Sequence, residues 1–239
     1  MASMQKVCIM RRFLRNFLVA LLALGGLGFG FLWATNVTAE DLRDLKRGDV
    51  IFQISGSGQS LAIMLASASL YSHVGIVDLN DAGQPVVLEA VGPVRETPLE
   101  DWISKGKARR VAVYRMEKMT EVQAQSVVTA ARAHFGKGYD PYFYSSEDTL
   151  YCSELVQIAF RDGIGLTLGQ SQRLGDLNLD NFAARAVIER RWKGHPLCAD
   201  GRAGNAAECL ALIRDEKLIT PQAIADDPRM VPVFSNFAP

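Results

Sequence analysis

The stretch SHVGIVDLNDAGQPVVLEAV, Ser72 to Val91, decides the fold. His73 to Leu79 is rich in valine and isoleucine, Asn80, Asp81 and Gly83 supply a turn, and Pro85 to Val91 is apolar again. That is the pattern of a β-hairpin. His73 opens the first strand, and Glu89 interrupts the second. A lone buried carboxylate is costly, so Glu89 has to be paired, exposed or functional. A turn near Asp81 and Ala82 pairs residue i with about 163 minus i, which sets Glu89 opposite Val74, next to His73.

Downstream, YCSELVQIAF (Tyr151 to Phe160) carries apolar residues at Leu155, Val156, Ile158, Ala159 and Phe160, the stripe of a buried helix. Ser153 and Glu154 suit its first turn, where unpaired N–H groups favour negative charge. Cys152 then sits at a helix N-terminus. A free thiol, with a pKa of roughly 8.5, is only a few per cent thiolate at neutral pH, and a helix N-terminus and a nearby imidazole are the usual devices that ionise it. Cys152 and His73 therefore read as a nucleophile and its base. Each alone also fits a buried structural residue.

The remaining pattern gives a lead-in helix over Glu40 to Lys46, a strand Val50 to Ile54 and an apolar helix Ser60 to Leu70. After the hairpin come a short helix Leu99 to Ser104 and a strand Arg109 to Met116. A helix begins after Thr120 with the capping sequence Thr-Glu-Val-Gln and closes by Gly136. A further helix spans Asn181 to Trp192. The proline-bearing tail from His195 reads as loop with one helix near Ala206 to Lys217. The sum is an α+β domain, an antiparallel sheet with helices packed against one face.

The chain starts with Lys6, Arg11, Arg12 and Arg15, followed by eighteen uncharged residues, Phe17 to Ala34, and by Val37, Thr38 and Ala39. This suits a signal peptide cleaved after Ala39, or an N-terminal membrane anchor retained through residues 17–34. Either places residues 40–239 outside the cytoplasm, in the periplasm or on the membrane facing it. Those residues carry 22 basic against 26 acidic side chains, a poor composition for binding nucleic acid. In an oxidising compartment, Cys198 and Cys209, around the polar loop ADGRAGNAAE, are placed to pair, leaving Cys152 as the odd thiol. A metal site joining them to His195 matches no usual zinc spacing. No H-E-x-x-H, C-x-x-C or P-loop occurs, and neither a metal nor a cofactor is expected. Asp49 reads as the cap of a turn, and His134 as a surface or helix-end histidine.

RGDVIF near the start of the domain, SHVGIV, VLEAVG, and GKGYDPYF leading into YCSELV together resemble the YiiX-like family of permuted papain-fold cysteine hydrolases, relatives of the NlpC-type cell-wall peptidases. The resemblance spans Leu45 to about Asp176. It implies Cys152 as nucleophile, His73 as base and then acid, and Glu89 as the group that orients the imidazole. The chain order is the reverse of papain's, as a circular permutation produces. It also places Tyr139 of GKGYD as a donor to the developing oxyanion, beside the Cys152 N–H; an aromatic packed under the helix is the equal alternative.

The resemblance implies hydrolysis of an amide in a peptide or peptidoglycan fragment through a thioester acyl-enzyme. Tyr151 stands where the cell-wall enzymes commonly have Asp, and Glu154 replaces their Gly. The alternative is deacylation or acyl transfer on a lipid-linked substrate, with LAIMLASASLY (Leu61 to Tyr71) lining an acyl pocket or simply forming core. A binding module without turnover is the third reading.

Overall fold

The computed structural model describes residues 37–144, 146 and 148–237. The expected signal segment or anchor therefore lies outside the described residues except for its last three positions. Strands β1 (Val50–Ser55), β2 (His73–Leu79), β3 (Pro85–Ala90), β4 (Val94–Pro98) and β5 (Gly106–Met116) are followed by the short pieces β6 (Gly138–Tyr139), β7 (Thr149–Leu150), β8 (Gln172–Arg173) and β9 (Lys217–Leu218), then by β10 (Met230–Ser235). Six of them form one sheet in the order β10-β5-β1-β2-β3-β4, with every pairing antiparallel. The helices are α1 (Ser60–Ala66), α2 (Leu99–Lys105), α3 (Glu121–Arg132), α4 (Cys152–Ile164), α5 (Phe182–Arg191), α6 (Ala206–Ile213) and α7 (Pro221–Ala225).

Both faces of the sheet are covered, which departs from the single covered face that the sequence suggests. On one face Val50, Phe52, Val74, Ile76 and Leu88 pack with Val127 and Ala131 of α3 and with Leu155, Val156 and Phe160 of α4. On the other, Ile51, Val77, Val87, Val111 and Val113 meet Leu99, Trp102 and Ile103 of α2 and Val37 and Leu42 of the lead-in. Burial on two faces explains why β1 reads as an unbroken apolar run instead of alternating.

α3 begins where the capping sequence places it. Gln123 N–H donates to Thr120 Oγ1, and Thr120 N–H donates back to Gln123 Oε1 at 2.9 Å. The helix stops at Arg132, three residues short of Phe135. The lead-in helix is reduced to a 3₁₀ turn, Ala39–Leu42, and α1 ends at Ala66 instead of Leu70. Asp49 does cap a turn, accepting from Lys46 N–H at 2.8 Å, and also pairs with Arg115.

The tail differs most from its loop reading. It adds α7 and the edge strand β10, which contains Pro232 and shifts register between Pro232 and Phe234. Proline inside an apolar run argues against a strand except at a sheet edge, where its missing N–H costs nothing.

Candidate active site

Cys152 is the first residue of α4, with Tyr151 in extended conformation (φ −102°, ψ 167°) just before it. The start of this helix is tied to the tail. Ser153 Oγ donates to Ile219 O at 2.8 Å, and Ile219 N–H donates to Tyr151 Oη at 3.0 Å. The thiol is 3% exposed and is met by the backbone N–H groups of Val74 and Ser153 and by the imidazole of His73.

His73 is the link. Its Nε2 lies 2.7 Å from Glu89 Oε2, which leaves Nδ1 for the Cys152 thiol, with which the ring interacts electrostatically. Thr97 Oγ1 donates to the other oxygen of Glu89 at 2.7 Å, and the indole of Trp102 stacks on the imidazole at 5.9 Å between centroids. His73 is thus bonded to Glu89 on one side and faces Cys152 on the other, held by a threonine on β4 and a tryptophan on α2. Neither Thr97 nor Trp102 carries a signal in the sequence, because both reach the site from elements that look purely structural.

The hairpin register differs by one residue from the expected one. Ile76 pairs with Leu88 and Val77 with Val87, so continuing the ladder places Glu89 across from Gly75. The expected partner, Val74, would have put Glu89 on the opposite face from His73, because side chains alternate along a strand. A Cβ on Gly75 would come within 2.4 Å of Val87 Cγ1 and 2.9 Å of Leu88 O. Glycine is what allows β3 to approach this closely.

Electrostatics follow from this geometry. Burial opposes charge on all three groups. On His73 it is outweighed by hydrogen bonds to Cys152 and Glu89, so the imidazole holds its proton above its ordinary range. Burial would raise the Cys152 thiol, but the hydrogen bond and charge of His73, then the N–H groups of Val74 and Ser153, bring it below an ordinary thiol. Glu89 resists its own burial through the same imidazole and Thr97, and stays ionised. The balance favours a thiolate–imidazolium pair backed by a carboxylate.

Tyr139 lies on the short strand β6, and its phenol oxygen accepts from Gln59 Nε2 at 2.5 Å. Burial and the nearby Cys152 keep its proton on. Cys198 and Cys209 are joined by a disulfide. His195 takes part in no metal cluster; its Nδ1 accepts from Leu197 N–H at 3.1 Å, and Tyr142 and Tyr144 pack edge-on against its ring. His134 sits past the end of α3, with Nδ1 buried and unpartnered, away from Cys152.

Beside Cys152 opens a cavity that sequence reasoning only touched on. It encloses about 130 Å³ and opens to solvent at its mouth. Ala62 and Ile63 of α1, Leu174, Leu177, and Val187 and Ile188 of α5 line it, and Arg191 is the one charged side chain among its walls. Half of this lining comes from residues beyond Asp176, where no motif is legible.

The fold is that of the permuted papain-like class. The family described as "Permuted papain-like amidase enzyme, YaeF/YiiX, C92 family" matches residues 44–234, and the chain belongs to it. The chain is 36% identical over 192 residues to the uncharacterized protein YiiX of Escherichia coli (strain K12), covering 80% of this chain and 86% of that one. A crystal structure titled as that of the metalloprotein yiiX from Escherichia coli O157:H7 superposes with a TM-score of 0.71 at 34% identity, covering 81% of this chain and 98% of that one. That title concerns the E. coli protein. Among the described residues here, no group of three or more His, Cys, Asp or Glu is disposed to hold a metal ion.

Proposed function

We propose that this protein is an exported cysteine hydrolase that cleaves an amide bond through a thioester acyl-enzyme. The observation that carries the reading is His73, held by Glu89 at 2.7 Å and interacting with the Cys152 thiol at the start of α4. The Cys152 thiolate attacks the carbonyl carbon, and the oxyanion forms within reach of the Cys152 N–H, which opens the helix without an intrahelical acceptor. The His73 imidazolium passes its proton to the leaving nitrogen as the C–N bond breaks. Neutral His73 then takes a proton from water, which attacks the thioester and releases the acid and the thiolate. Glu89 holds the ring so that Nδ1 faces sulfur throughout. Export is supported by the basic and then uncharged N-terminal segment and by the disulfide, which suits an oxidising compartment.

A second reading of the substrate, deacylation of or acyl transfer from a lipid, is favoured by one observation. The cavity beside the nucleophile is apolar along α1 and α5, which suits an acyl chain better than a sugar or a polar peptide. Peptidoglycan fragments and lipid-linked amides are therefore the two substrate sets to compare.

Iodoacetamide alkylation of Cys152 against pH, in the full chain and in His73→Ala, tests the site. Labelling that persists well below pH 8.5 and is lost in the variant is expected. A titration near the ordinary thiol value that ignores His73 would make Cys152 structural. Cys152→Ala should abolish turnover and leave the circular dichroism spectrum unchanged. Release of a fatty acid from an acyl amide or ester, against release of an amine from a muropeptide, separates the two substrate readings.

A further inference from the structure

An oxyanion donor needs its proton aimed at the developing oxyanion, and a phenol O–H can rotate away. In this molecule Tyr139 is constrained by a chain of donors that begins outside the motif-bearing core. Arg191, at the end of α5, gives Nη1 to Gln59 Oε1 at 2.5 Å and to the carbonyl of Pro141 at 2.8 Å. A guanidinium can only donate, so it claims the amide oxygen of Gln59 and fixes which way that amide faces. Gln59 Nε2 must then donate, and its acceptor is the Tyr139 phenol oxygen. With that lone pair taken, the Tyr139 hydroxyl hydrogen is free to be spent elsewhere; Tyr139 packs against the core cluster that contains Cys152, and Gln59 and Arg191 share the walls of one cavity with Cys152.

We propose that Arg191, acting through Gln59, is a positioning residue that makes Tyr139 a dedicated hydrogen-bond donor to the oxyanion formed at Cys152. The inference rests on Cys152 being the nucleophile. Three features support a role beyond bracing. Gln59 is 6% exposed, so losing either partner leaves a buried amide group unsatisfied. Among the described ion pairs none involves Arg191, so its link to the nearby Asp140 carboxylate is through charge alone and its Nη1 stays committed to Gln59 and Pro141. Pro141 lies two residues from Tyr139, so the same Nη1 also anchors the backbone that carries the phenol.

The test uses two reagents on the full chain. p-Nitrophenyl acetate acylates Cys152 through a tetrahedral oxyanion and releases a burst of p-nitrophenol. Iodoacetamide alkylates the same sulfur by displacement and forms no oxyanion. Gln59→Leu, Arg191→Met and Tyr139→Phe are each expected to slow acylation by about a hundredfold, the loss typical of one oxyanion donor, with alkylation within twofold of wild type. Tyr139→Phe with Gln59→Leu should be no slower than Tyr139→Phe alone, because the three residues act as one unit. Arg191→Lys, which keeps a donor and a charge, should recover most of the rate. Acylation and alkylation falling together would reduce the chain to a structural brace, and unchanged acylation would overturn the proposal directly. A burst that survives in Cys152→Ala would instead remove the nucleophile on which it rests.

Discussion

Burial normally keeps a thiol protonated, and Cys152 is buried. What reverses the balance is that its neighbours are cationic or donate hydrogen bonds: the imidazole of His73 and the N–H groups of Val74 and Ser153. The reactive ion pair should therefore exist over a window bounded below by a thiol pKa under its usual value and above by an imidazole pKa over its usual value of about 6.5. Below that window the sulfur is protonated; above it His73 has lost the proton it must give the leaving group. Acylation by p-nitrophenyl acetate across pH should trace the acid limb below the ordinary thiol value. Glu89→Gln keeps the shape of the carboxylate but removes its charge. We expect kcat/KM to fall by roughly a hundredfold, the low end for a positioned acid–base group, with the acid limb moving up because the imidazolium is less favoured. An unchanged profile would mean that Glu89 only fills space. Both residues stand out in the sequence because an imidazole and a carboxylate are expensive inside apolar runs. Thr97, Trp102 and Gln59 do not, since each is unremarkable in its own segment.

At the scale of elements, the hairpin shows where sequence reasoning stops. Its two strands and its turn are legible from β-branched runs and from Asn80, Asp81 and Gly83. Its register is not, because a turn centre read from composition carries an error of a residue, and one residue exchanges the two faces of a strand. The observed pairing puts Glu89 and His73 on the same face, with Gly75 between them bare of a side chain. Gly75→Ala should force β2 and β3 apart, with an expected cost of about 1–3 kcal/mol in a urea titration, as for other overpacked sites. The Cys152 reactivity should fall with it, since the shift is transmitted to His73. A variant with unaltered stability would show that the strands can separate freely. The edge strand β10 was hidden for a different reason: Pro232 masks a strand in any reading that does not know it lies at an edge.

Across the whole molecule, the last third of the chain supplies walls to the cavity beside Cys152. α5 brings Val187, Ile188 and Arg191 to the cavity, and Ile219 docks the first turn of α4 through both its N–H and its carbonyl. If the cavity receives an acyl chain, filling it should discriminate by length. Ile188→Trp is expected to reduce kcat/KM for p-nitrophenyl decanoate at least tenfold and to leave p-nitrophenyl acetate nearly unchanged; equal effects on both esters would argue for a polar substrate bound elsewhere. The sequence by itself determined the chemistry on offer: a cysteine opening a buried helix, a histidine and a glutamate in apolar strands, and an antiparallel α+β frame, all local patterns set by periodicity and by the cost of burying polar groups. Only the tertiary structure decided the face on which Glu89 meets His73, the tryptophan and threonine that hold them, and the apolar cavity with its single arginine. Those depend on contacts between segments far apart in the chain, 132 positions in the Arg191 bond to Gln59, and the free energy of such contacts is written in no single stretch of chain.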